Sequence, residues 1–136
     1  MSYKEKDFQS DFTRWLREKA HLYGMNKTFV YELKITHEKR ISFSRVEEHQ
    51  ITSLKKAKNS CIRHKISDQA MGFHPFDGGQ WCMVPAYIII LWYIPRKPKV
   101  PIWIDIDDFI HLQETHDKKS ITYQDAIKVG KTYGAI

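Results

Sequence analysis

Cross-links and anchors are scarce in this sequence. Two cysteines among 136 residues, Cys61 and Cys82, do not make a disulfide framework and fit a reducing compartment. No run reaches about 18 apolar residues, so no transmembrane helix is expected. The first residues, MSYKEKDFQSDF, are charged and lack the apolar core of a signal peptide. A cytoplasmic location follows as the expectation, or the host cytoplasm for a phage-encoded chain. There is no glycine-rich phosphate loop and no G-x-S-x-G elbow, which sets aside P-loop and α/β-hydrolase chemistry. Internal repeats, low-complexity tracts and dividing linkers are also missing. One domain over residues 1–136 is therefore expected.

What is present is an ordinary globular composition with a basic excess. Hydrophobic residues are 42% and charged residues 28%. The net charge is +6 and the pI about 9.3. A positive balance favours a polyanionic partner such as nucleic acid. The basic side chains are dispersed, with small clusters at Lys55, Lys56 and Lys58 and at Arg96, Lys97 and Lys99.

The most informative stretch is Phe29-Val30-Tyr31-Glu32-Leu33-Lys34-Ile35-Thr36. Its period is two and it is rich in aromatic and β-branched residues, so a strand is expected. Phe29, Tyr31, Leu33 and Ile35 share one face; Val30, Glu32, Lys34 and Thr36 share the other. Glu32 and Lys34 then leave one face roughly 7 Å apart along the strand. A carboxylate can hold a hard cation, and an ammonium beside it can hold a phosphate or polarise a water. Taken alone, the pair reads as an ordinary solvated Glu/Lys pair, since E-x-K is common by chance.

Around this stretch the periodicities alternate between helix and strand. Phe8, Phe12, Trp15 and Leu16 form one stripe and predict a helix from about Lys4 to Ala20. Ser44 followed by Glu47 has the spacing of a capping box and predicts a helix from there to about Lys58. Its stripe is Val46, Leu54 and Ala57, and Gln50 falls in the middle of it. An inward glutamine needs hydrogen-bond partners, in the core or at a site. Residues Cys61 to Ser67 read as a short strand, and Gln69 to Val84 as a loop containing Pro75-Phe76-Asp77-Gly78-Gly79. On local grounds Asp77 is a turn aspartate. Ala86 to Ile94 reads as a central strand buried on both faces. Ile102 to Ile106 alternates as a strand, with Asp105, Asp107 and Asp108 as solvated or edge-protecting charges. A last helix is expected from about Thr122 to Thr132. Interleaved strands and helices predict an α/β or α+β layer fold with a mixed sheet. Cys61, His64, His74 and Cys82 have the composition of a zinc ligand set, but their spacing is irregular.

Glu32-x-Lys34 on a strand, followed by Ile41-Ser42-Phe43-Ser44, Glu48-His49-Gln50 and Leu54, resembles the core of the PD-(D/E)xK nuclease superfamily. It is similar in particular to Holliday-junction resolvases of the RecU type and related phage endonucleases. The resemblance covers roughly residues 29–94. It implies a restriction-endonuclease-like fold, a mixed β-sheet flanked by helices. It also implies a Mg²⁺-dependent endonuclease of DNA recombination or repair, with Mn²⁺ able to substitute. A homodimer acting on branched or otherwise structured DNA belongs to the same expectation, since a resolvase makes two symmetric cuts.

The resemblance also carries roles for residues. Glu32 matches the metal ligand, Lys34 the catalytic lysine and Gln50 the glutamine that supports the site. On chemical grounds the Leu33 backbone carbonyl is expected as a further oxygen ligand beside Glu32 and a second acid. The family usually places an aspartate on a strand before E-x-K, and none stands between the first helix and Glu32 here. Asp77 is the inferred substitute, catalytic and metal-binding, with Asp68 in reserve. Glu5 is the match for the glutamate usual on the first helix. Lys55, Lys56, Arg63 and Lys65 are expected to follow the DNA backbone. The alternative is a basic DNA-binding domain of the same fold without catalysis.

Overall fold

The computed structural model describes residues 2–25, 28–59, 61–65, 77–81 and 83–136, and of residues 61–65 and 77–81 it describes the backbone. The order of elements is α1 (Glu5–Glu18), β1 (Val30–Thr36), β2 (Arg40–Ser42), α2 (Glu48–Asn59), β3 (Cys61–Lys65), β4 (Asp77–Trp81), β5 (Ala86–Trp92), β6 (Ile102–Asp105), α3 (Ile106–Thr115), β7 (Ser120–Thr122) and α4 (Tyr123–Val129). This is a mixed α+β chain with a small mixed sheet flanked by helices.

The sheet has the order β1-β5-β6. β1 runs parallel to β5, with Glu32 opposite Ile88 and Lys34 opposite Ile90. β6 is antiparallel to β5 on its other side. The apolar run at residues 86–92 is the central strand, and Ile88, Ile89, Ile90 and Leu91 are all buried. A strand covered on both faces has no need of polar alternation.

The two sides of β1 reach different cores. Leu33 and Ile35 pack with Phe8, Phe12 and Trp15 of α1, together with Ile89, Leu91 and Trp103. On the opposite side Val30 packs against a cluster that includes Leu54, Ile88, Ile90, Ile104 and Phe109. The helical stripe predicted for α1 is the one buried. Full burial of a phenylalanine such as Phe8 or Phe12 contributes about 1.5–3 kcal/mol.

Several sequence expectations need correction. Ser44 does not cap α2. It lies in a 3₁₀ turn, Phe43–Arg45, whose cap is Ser42. Phe43 and Val46 are both buried, and Val46 is extended, so burying both breaks the helix before Glu48. The expected loop at residues 69–84 contains β4, paired antiparallel with β3. Asp105 and Asp107 are not free edge charges. Asp105 accepts the Asp107 N–H and caps α3, and both carboxylates bond Lys58 Nζ at the end of α2. Hydrogen bonds to these two carboxylates hold the Lys58 ammonium above its usual range. α3 itself was hidden by the strand-like alternation that runs through Ile106. β2 and β7 pair with each other and were too short to read. No helix among the described residues is long and apolar enough to cross a membrane.

Candidate active site on the β1 edge

β1 places Glu32 and Lys34 on the α2 side of the sheet, as its alternation requires. Lys34 is buried, at 8% exposure, whereas the Glu32 side chain is 28% exposed. Their side chains lean together, so that Lys34 Nζ lies 3.5 Å from Glu32 Oε1. Rise along the strand fixes where the side chains start, and rotamers close the remaining gap.

Gln50 arrives from the first turn of α2. Leu54 and, at its margin, Ile51 anchor that helix in the core. The two ends of the Gln50 amide do different work. Its Oε1 accepts the Glu47 N–H at 2.9 Å, satisfying a main-chain donor at the helix start. Its Nε2 donates to Glu32 Oε1 at 2.9 Å. Glu32 Oε1 therefore faces an ammonium and an amide donor at once. Among the described residues no hydrogen bond reaches Oε2 of the same carboxylate.

Two cavities meet at Glu32. The larger, about 420 Å³, lies between β1 and α2 and is lined by Tyr31, Glu32, His49, Gln50 and Ser53 among others. The smaller, about 240 Å³, lies towards α1 and is lined by Gln9, Thr13, Tyr31, Glu32 and Leu33. The Leu33 side chain is buried in the core, so its share of this wall is main chain. Val30 N–H donates to Pro85 O, and Tyr93 N–H donates to Thr36 O. In a parallel ladder this turns the even-numbered main-chain groups of β1 towards β5. The groups of Tyr31, Leu33 and Ile35 then face the outer edge. Ile35 O accepts from Arg45 there. Burial raises the Tyr31 phenol above its usual range and keeps it neutral.

Glu32 and Leu33 both line the smaller cavity, and Glu32 Oε2 and the Leu33 carbonyl are hard oxygen donors. That donor set suits Mg²⁺ or Mn²⁺ rather than a thiolate-seeking ion. Among the described residues no group of three or more His, Cys, Asp or Glu gathers at metal-binding distance.

The other sequence candidates among the described residues lie on elements other than β1. Asp77 opens β4 opposite Lys65, in a sheet other than the one carrying Glu32. Arg63 and Lys65 lie in β3. Asp68 lies outside the described residues. Of the candidate zinc ligands, Cys61 and His64 lie in β3, while His74 and Cys82 are outside the described residues. Glu5 is the first residue of α1, one turn before Gln9, and does not line the Glu32 cavities. Lys55 and Lys56 line a different groove, between α2 and α3, with Thr52 and Gln113.

Gln9, Thr13 and Ser53 were not singled out from sequence. Gln9 and Thr13 are i and i+4 on α1, and Gln50 and Ser53 are i and i+3 on α2, which is the available signal. It has force only once β1 is known to lie between the two helices. No protein-family model, no curated protein and no solved structure matches the chain.

Proposed function

We propose that this protein is a Mg²⁺-dependent endodeoxyribonuclease that hydrolyses phosphodiester bonds in branched or otherwise structured DNA, with Holliday-junction resolution in recombination or repair as one candidate role. The finer fold assignment, restriction-endonuclease-like, belongs to the same proposal. The observation that carries it is the convergence of Glu32, Lys34 and Gln50 at one carboxylate oxygen.

Glu32 and the Leu33 carbonyl would hold the metal, with Asp77 as the further carboxylate ligand. Bound there, Mg²⁺ supplies Lewis acidity to the phosphate and lowers the pKa of a coordinated water. Gln50 fixes one oxygen of Glu32 and leaves the other available. Lys34 is held against the same carboxylate by a buried stem, which restricts where its ammonium can go. From there it orients the attacking water and offsets charge on a phosphate oxygen. The basic side chains Lys55, Lys56, Arg63 and Lys65 supply salt-sensitive contacts to the DNA backbone. Two symmetric cuts would require a homodimer.

The test is cleavage of labelled four-way junction, flap, duplex and single-stranded DNA in Mg²⁺, Mn²⁺ or EDTA. Wild type is compared with Lys34→Ala and Asp77→Asn. Metal-dependent cutting lost in both variants is the expected result. Full cutting by Lys34→Ala would remove the assignment. Salt-sensitive binding without any cutting would place the chain in the non-catalytic DNA-binding class.

A further inference from the structure

We infer that the groove at the carboxyl ends of β1 and β5 binds single-stranded nucleic acid. This cavity of about 730 Å³ is walled by Trp92, Ile94 and Tyr123 and rimmed by Lys39, Lys97 and Gln124. It lies at the far end of β1 from the Glu32 cavities, roughly 16 Å along the strand from Glu32.

Its walls are mostly apolar. Ile94 is 58% exposed and Tyr123 37%. The Tyr123 ring meets Trp92 edge to face, with centroids 5.9 Å apart. Apolar side chains gathered in one open groove suit a binding surface. The rim decides what binds. Lys39 and Lys97 outnumber the one acid in the lining, Glu38. A second copy of the chain would set like charges against each other. An anionic ligand with flat apolar faces satisfies both walls and rim. Bases stack on aromatic rings, and phosphates meet the lysines, which is how single strands are held without sequence readout.

The backbone at the rim is itself strained. Lys97 N–H donates to Ile94 O, closing a turn with Pro95 second and Arg96 third. Arg96 has φ 65°, a position where such turns favour glycine or asparagine. The turn that presents Lys97 thus holds an arginine in a conformation costing about 1–2 kcal/mol. Strain of this kind concentrates at ligand sites.

This inference does not rest on the cleavage reading, because binding in EDTA tests it with no chemistry. If both hold, a flap or another branched DNA with an unpaired arm is favoured as substrate over a fully paired four-way junction. The experiment measures binding of fluorescein-labelled oligothymidylate by anisotropy in EDTA across a salt series. It compares wild type, Lys39→Glu/Lys97→Glu, Tyr123→Ala and, as a control for charge reversal away from the groove, Lys19→Glu at an exposed site on α1's C-terminal cap. Tyr123→Ala is expected to weaken binding about five-fold or more, the effect of losing one stacked base. The double reversal should weaken it further and make the salt slope shallower by about 1.4, as for two lost phosphate contacts. Lys19→Glu should leave the slope almost unchanged.

Equal binding by all four proteins would overturn the inference. So would equal losses in Lys19→Glu and the double reversal. No binding of oligothymidylate by wild type, with tight binding of an acidic aromatic peptide, would assign the groove to a protein partner instead. A dimer in solution that Tyr123→Ala dissociates would assign it to self-association. Loss of cutting in Lys34→Ala with unchanged oligothymidylate binding separates this site from the one at Glu32.

Discussion

Gln50 Nε2 donates to Glu32 Oε1 across 18 residues of sequence, while its Oε1 accepts the main-chain N–H of Glu47. One side chain thus starts a helix and fixes the carboxylate of the neighbouring strand. Gln50→Ala is expected to lower stability by about 1–2 kcal/mol, from a lost cap and a lost bond to a charged group. Gln50→Glu keeps an acceptor for Glu47 but sets two carboxylates face to face. Its deficit relative to wild type should shrink near pH 4, where carboxylates protonate. Urea titrations of the three proteins at both pH values measure this. A Gln50→Glu deficit unchanged by pH would mean that the amide does not face Glu32.

Lys34 tests whether the site is kept for stability or for chemistry. A buried ammonium gains little net stability from a single carboxylate, since desolvation opposes the attraction. Lys34→Met leaves Glu32 partly exposed and still bonded to Gln50, so no fully buried charge is left unpaired, and the variant should fold with stability within about 1 kcal/mol of wild type. Under the proposed function it should also lose cleavage by at least about 100-fold. A stability loss above about 3 kcal/mol would instead identify a structural ion pair.

Both halves of this pair were legible in the sequence, and the reason is local. A period of two decides which side chains share a face, and it needs only the residues from Phe29 to Thr36. The same holds for the apolar run that became β5 and for the stripe of Phe8, Phe12 and Trp15. The start of α2 was misread because Ser44 and Glu47 satisfy the capping spacing equally well. Burial of Phe43 and Val46, a tertiary event, moved the helix start beyond them.

Gly130 lies where α4 returns to the sheet. Its backbone is not in the left-handed region, so its role is space. A Cβ there would lie 2.6 Å from Ile102 Cγ2 and 2.9 Å from Trp103 O. Next to it, Lys131 and Trp103 exchange two main-chain hydrogen bonds at 2.8 Å. Gly130→Ala should lower stability by about 1–3 kcal/mol through overpacking. Thermal unfolding checks this, and a neutral result would show that α4 can move outward freely.

The dependence on pH should have two limbs. Main-chain donation from Thr122 holds the Asp125 carboxyl below its ordinary 3.8. A lowered carboxyl stabilises the fold above its unfolded pKa and loses that effect as pH falls through the folded value. Burial raises the phenols of Tyr3, Tyr31 and Tyr87 above their ordinary 10.0. A raised group stabilises fully below its unfolded pKa and loses that contribution as pH climbs towards the folded one. Melting temperature should fall below about pH 4 and above about pH 10. Tyr3→Phe, which removes a 2.6 Å bond to Asp11, should weaken the alkaline limb, and Asp125→Asn the acid limb. An alkaline limb unaltered in Tyr3→Phe would exclude Tyr3 as a contributor.

The sequence by itself determined which residues share a face: Glu32 with Lys34 on β1, and the stripe that α1 buries. It also determined that residues 86–92 are central, because only a doubly covered strand can be apolar throughout. Tertiary structure decided the rest. The parallel register of β1 on β5, the burial of Lys34, and the reach of Gln50 to a single oxygen of Glu32 depend on residues far apart in the chain. Periodicity records the direction a side chain takes from its own backbone. Which neighbour it meets is fixed only when the strands pair and the helices dock.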